Sequence, residues 1–141
     1  MTAHSDIVLQ LLREIAGAAF VFLAGIAAIW SIVTYQRVYN ATIEFIPPQF
    51  QDPESSRYAF PAFALSPWVP LPLQKDYLRS SSGFCVMTLC VALSLFAFHQ
   101  WIFGCLASIA FVVGVFSTLK SWKTYKDNCN RALARSSEKE R

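Results

Sequence analysis

The chain has 141 residues, of which 55% are apolar and 15% charged, and a formal net charge of +3. The length suits one small domain, but the apolar residues gather into long blocks instead of recurring at core spacing, which excludes an ordinary soluble fold. So small a positive charge, with no basic groove-reading motif, excludes nucleic acid as the expected partner.

The first block is Ile15 to Tyr35, a stretch without charge that is long enough to cross a bilayer once. A cleaved signal peptide is the rival reading of this block. The residues before it (His4, Asp6, Arg13, Glu14) are not basic enough, and the apolar stretch exceeds the roughly 7 to 15 residues of a typical signal core. Span one is rich in small residues, and Gly17, Ala24 and Ala28 share one face at intervals of seven and four. Helices in lipid gain no hydrophobic drive from meeting each other, so smooth strips of this kind are where backbones approach.

Gln36 to Glu44 is expected to continue helix one beyond the membrane and to end near Ile46, because Pro47 disfavours further helix. All seven prolines then fall between Pro47 and Pro72. Irregular or polyproline-like backbone is the expectation, with Asp52 to Ser56 as a solvated turn. The segment also carries Phe45, Phe50, Tyr58, Phe60, Phe63, Trp68, Val69, Leu71 and Leu73, which something must cover. Three covers are available: the headgroup layer, the chain's own helices, or another subunit. Irregular backbone exposed to lipid cannot cross the hydrocarbon, so a fourth span is not expected, and the preferred cover is the headgroup layer at the cytoplasmic interface. Phe60, Phe63, Trp68 and, beyond span three, Trp122 are the expected interface or partner contacts. Pro67 and Pro70 form the single P-x-x-P match, a weak signal for proline-rich recognition. From Leu73 to Arg79, Gln74, Lys75, Asp76 and Arg79 mix with Leu73, Tyr77 and Leu78 in an amphipathic lead into span two, with Leu73 and Tyr77 on one face at a spacing of four.

Ser80 to Leu119 follows, forty residues without Asp, Glu, Lys or Arg. As one helix it would reach about 60 Å, twice the thickness of the hydrocarbon layer. His99-Gln100, followed by Trp101, divides it into nearly equal halves, so it reads as a helical hairpin with span two over about 80–98 and span three over about 101–119. In span two Gly83, Cys90 and Ala97 repeat at intervals of seven; span three offers Gly104 and Ser108 and then Gly114. These are the expected packing positions. Phe20, Phe22, Leu95, Phe96, Phe103, Ile109 and Phe116 supply bulk toward lipid or a partner. Thr88, Ser94 and Ser108 are expected to bond their own helix backbone.

Lys120 to Arg135 is expected to extend span three as a polar helix that frays over residues 136–141. Eleven of the twelve basic residues lie either between spans one and two or in this tail. With three spans they share one side, and the positive-inside rule makes it the cytoplasm, with the N-terminus and the His99 turn outside. Trp30, Tyr35, Trp101, Trp122 and Tyr125 mark the span ends as an aromatic belt. The Asn40-Ala41-Thr42 glycosylation triplet is then a chance match on the cytoplasmic side.

The chemistry of a catalyst is not legible. Cys85, Cys90, Cys105 and Cys129 form no C-x-x-C pair, and His99 is the one histidine near a span, so no metal site or bis-histidine haem is expected. Neither a phosphate loop nor paired intramembrane carboxylates nor an activated nucleophile is present, and no cofactor or small-molecule substrate is expected. The chain therefore reads as an all-α membrane protein of three transmembrane helices with a Pro/aromatic-rich interfacial segment between spans one and two, forming a single membrane domain. Its layout resembles that of small bacterial inner-membrane proteins. The expected role is a non-enzymatic accessory or structural subunit that docks onto a larger membrane assembly, or self-associates, through the small-residue strip and the aromatic segment. The alternative is a stand-alone immunity, exclusion or stress-response protein that occludes another membrane protein. A small oligomeric transporter ranks third, since the spans lack polar groups.

Overall fold

The computed structural model describes residues 2–139, with four α-helices among them: α1 (Thr2–Thr42), α2 (Pro53–Phe63), α3 (Leu71–Ala97) and α4 (Trp101–Lys139). Two single 3₁₀ turns, Ile43–Phe45 and Pro48–Phe50, join α1 to α2. Three of the helices, α1, α3 and α4, are long and apolar enough to cross a membrane, and the protein is an all-α membrane protein. At 41, 27 and 39 residues, α1 and α4 far outreach the roughly 20 residues that a bilayer core needs.

The chain divides into two compact units. The first comprises Met1–Ser31 and Ser82–Val115. On the part of α1 in this unit the buried residues, among the described ones, are Gly17, Ala24 and Ser31, spaced by sevens, so a narrow seam of small side chains faces the neighbouring helices. Glycine at 17 and 83 is a requirement of close approach. A Cβ on Gly17 would lie 2.8 Å from the Phe98 ring, and one on Gly83 would lie 2.8 Å from the Trp30 ring and closer still to the Ser31 hydroxyl. Similarly, a Cβ on Gly104 would lie 2.8 Å from the Phe96 ring, and one on Gly114 would lie 3.3 Å from Cys85 Sγ.

The chain reverses over Phe98-His99-Gln100. The Gln100 amide donates to the Leu95 carbonyl (2.8 Å) and the His99 amide to the Phe96 carbonyl (3.2 Å), the paired bonds of a Schellman cap. His99 takes the left-handed position, φ 60°, where glycine is usual. Histidine is among the side chains that tolerate this region best, and the cap pairs carbonyls that the end of α3 would otherwise leave open.

The second unit comprises Ile32–Ser81 and Phe116–Arg141. Here the proline-rich segment departs from the irregular backbone that its composition suggests. Asp52 caps α2 by accepting from the Glu54 (3.0 Å) and Ser55 (3.1 Å) amides, and Pro53 occupies the first turn, where no N–H is needed. Pro61 sits inside α2, but it and Arg57, whose carbonyl loses its partner, both face outward, where water can satisfy that oxygen. Pro72 likewise lies in the first turn of α3. The prolines therefore fall where helices tolerate them, and Asp52 to Ser56 is a helix start instead of a solvated turn.

The core of this unit is Val38, Ile46, Phe60 and Ala64, with Tyr35, Tyr39, Phe63 and Tyr77 packed around it. The sequence places Phe60 against the headgroup layer or a partner, yet the chain's own helices bury it. Its ring meets Tyr35, Tyr39 and Tyr77 edge-on at centroid separations of 5.1, 5.3 and 5.6 Å. α4 remains helical through Lys139, so the fray expected over 136–139 is replaced by helix; Glu140 and Arg141 lie outside the described residues. No Gly or Pro interrupts that tail, and the Ser137 hydroxyl bonds the Ala134 carbonyl at 2.8 Å.

Candidate interaction surfaces

In the first unit the small-residue positions divide into two groups. Gly17, Ala24, Gly83, Cys90 and Gly104 are buried, and Ala28, Ala97, Ser108 and Gly114 are half-buried. Ala16, Ala18, Ala19 and Gly25 instead face outward, and a Cβ on Gly25 would meet nothing within 4 Å. Ala18, Phe22, Gly25 and Ile29 fall on one outer stripe of α1 by their 4-3-4 spacing. Phe22, Phe103 and Ile109 present bulk outward. Phe20 and Leu95 are half-buried, and Phe96 is half-buried over Gly104 and so belongs to the packing.

Span hydroxyls bond their own helices, as their type suggests: Thr88 to the Phe84 carbonyl (2.7 Å), Ser94 to Val91 (2.8 Å) and Ser108 to Gly104 (2.8 Å). This pairing removes the cost of carrying an open hydroxyl into a low-dielectric layer. At the Schellman turn a cleft of about 670 Å³ is lined by Gln10, Arg13, Glu14, Phe98 and His99.

In the second unit the polar groups are organised around Gln74. This side chain, in the amphipathic lead into span two, is fully buried, while Tyr77 is half-buried. Its amide donates to the Ser66 (3.1 Å) and Val69 (2.7 Å) carbonyls, and its oxygen accepts from Asn128 Nδ2 at 2.9 Å. Asn128 also donates to the Leu65 carbonyl at 2.8 Å. The two amides thus satisfy three carbonyls of the Leu65–Val69 link, where helix has ended and backbone acceptors need partners. Elsewhere in this unit the Ser81 and Thr118 hydroxyls lie 2.9 Å apart, and Tyr39 and Ser56 share another hydroxyl pair.

Of the other expected contact residues, Phe63 is half-buried between Phe50 and Trp68, with ring separations of 5.8 and 6.4 Å. Trp68 is 56% exposed. Trp122 is also exposed and packs edge-on against Tyr125 at 5.9 Å. A second cleft, about 510 Å³, is lined by Tyr35, Gln36, Tyr39 and Arg57. The Asp52 carboxyl is held below its ordinary range by hydrogen bonds from the Ser55 side chain and backbone and from the Glu54 backbone.

Among the described residues no three His, Cys, Asp or Glu side chains gather where a metal ion could be held. Ser31, Gln74 and Asn128 carry no sequence signal of packing, because a polar residue in a helix gives no sign of whether it faces water or bonds inward. No family model, curated protein or solved structure matches the chain.

Proposed function

We propose that the protein is a non-enzymatic accessory subunit that docks onto a larger membrane assembly through the outer stripe of α1. The observation that carries this reading is the open space beside Gly25. The small residues at 17, 24 and 31 are already occupied by the chain's own packing, whereas Ala18 and Gly25 form a second smooth surface on the outward side of the helix. In lipid such a surface favours close backbone approach by another helix. The non-catalytic part of the reading rests on the forty uncharged residues of spans two and three. The Lys and Arg distribution supports a cytoplasmic C-terminus and an external His99 turn, with spans two and three inserted as a hairpin. A bacterial inner membrane is the proposed location.

The test uses a photocrosslinking residue at Ile29, exposed on the same stripe, in intact membranes, followed by gentle solubilisation and affinity purification. A single defined partner at constant stoichiometry is expected, with the crosslink and the co-purification both lost in Gly25→Leu while the purified chain keeps its melting temperature. Migration as a free monomer or homodimer, with adducts to lipid alone, would overturn the reading.

A further inference from the structure

The cleft between α1 and α2 in the second unit gathers hydrogen-bond donors. Tyr35, Gln36 and Tyr39 lie on one face of α1, and Arg57 reaches it from α2. All four side chains can donate hydrogen bonds, one carries a full positive charge, and none is a carboxylate. Arg57 is exposed and makes no ion pair or hydrogen bond among the described residues, while Tyr39 is held by Ser56 and by the Phe60 ring. The donors therefore stand on elements fixed by the core, and the guanidinium is open to a ligand. Tyr35 ends the uncharged part of span one, which sets the cleft at the depth where lipid headgroups lie. A donor-lined cleft of about 510 Å³ at that depth suits a phosphodiester, and its lining holds no carboxylate to pair with an ammonium group.

We propose that this cleft is a binding site for one anionic glycerophospholipid, with its phosphodiester on the Arg57 guanidinium and the tyrosine hydroxyls beside it. The guanidinium fork matches two phosphate oxygens at once, and the site selects lipids whose headgroup adds no positive charge.

The full chain is reconstituted in nanodiscs of phosphatidylcholine with a rising share of phosphatidylglycerol, and retained lipid is read by native mass spectrometry after release into detergent. One phosphatidylglycerol is expected to persist per chain. Arg57→Gln should reduce its retention about fivefold, the effect of one charge near a membrane surface. Arg57→Lys should fall between Arg57→Gln and the unaltered chain, because the charge remains and the fork is lost. Lys75→Gln, an exposed cation of the same unit outside the cleft, should stay within about twofold of the unaltered chain, as surface charges count singly and weakly. Glycerol phosphate, added as a soluble competitor, should not displace the lipid at equal concentration. Equal retention of phosphatidylcholine, an unchanged Arg57→Gln, or an equal loss in Lys75→Gln would overturn the site. Displacement by glycerol phosphate would overturn the lipid as its occupant.

Discussion

Phe60→Ala would remove the ring at the centre of the second unit's core. The ring is fully buried, and its three aromatic neighbours come from two different helices, Tyr35 and Tyr39 on α1 and Tyr77 on α3. Truncating a buried Phe to Ala costs about 3–5 kcal/mol, with the higher values where the walls cannot close. Walls held on two long helices relax little, so about 4 kcal/mol is expected, close to three orders of magnitude in the opening equilibrium of α2. Trypsin cleavage at Arg57, less than one helical turn from Phe60, reads this directly when reclosing is fast compared with cutting. With the chain in nanodiscs, the initial cleavage rate at Arg57 should rise at least a hundredfold in Phe60→Ala. In Phe60→Leu, which keeps most of the volume and loses the edge-on geometry, it should rise about tenfold. Ala62→Ser, on the outward side of the same helix, should stay within about threefold of the unaltered chain. Equal rates for Phe60→Ala and Ala62→Ser would mean that the ring is not covered by its own chain, and the account of this core would fail.

Gly83→Ala should destabilise the chain by about 1–3 kcal/mol in an SDS titration, because the new methyl collides with buried Ser31 and with Trp30. Gly25→Ala meets open space and should leave stability unchanged or raise it by up to about 1 kcal/mol through helix propensity; the opposite order would contradict the packing of α3 on α1. The Asp52 cap predicts a pH effect of known sign. A carboxyl whose folded pKa is lowered stabilises the fold fully above the ordinary carboxylate range, and the contribution is lost as pH falls through the lowered value. Amide exchange at Glu54 and Ser55, corrected for its intrinsic pH dependence, should therefore lose protection on acidification, and Asp52→Asn should abolish that dependence while keeping a capping oxygen.

The spanning helices are legible because nothing but lipid accommodates so many consecutive uncharged residues, and the break at His99-Gln100 is legible because a polar pair interrupts them. The seven-residue spacing of Gly17 and Ala24 identifies positions that the structure buries, although Ser31, the next in the series, is disguised by its hydroxyl. The segment between spans one and two is the least legible. Counting prolines predicts irregular backbone, but Pro53 and Pro72 fall in first turns where no N–H is needed, and Pro61 leaves open only an Arg57 carbonyl that faces outward. Gln74 and Asn128 give no sign of turning inward: Gln74 reaches carbonyls 5 and 8 residues back, Asn128 reaches one 63 residues away, and no helical periodicity encodes either match. The donor-lined cleft is hidden for a similar reason, since Arg57 meets Tyr35 and Tyr39 only once α2 has formed.

The pairing of Gln74 with Asn128 also bears on the order in which the chain can mature. These partners are 54 residues apart, and the bond from Asn128 to Leu65 bridges 63. All three apolar stretches precede Asn128 in the chain, so they are synthesised while the Leu65 carbonyl still lacks its side-chain donor and Gln74 alone serves the Ser66 and Val69 carbonyls. Those two bonds wait for Asn128. A product that stops short of Asn128 would carry all three spans and yet leave the Leu65 carbonyl and the Gln74 oxygen without their donor.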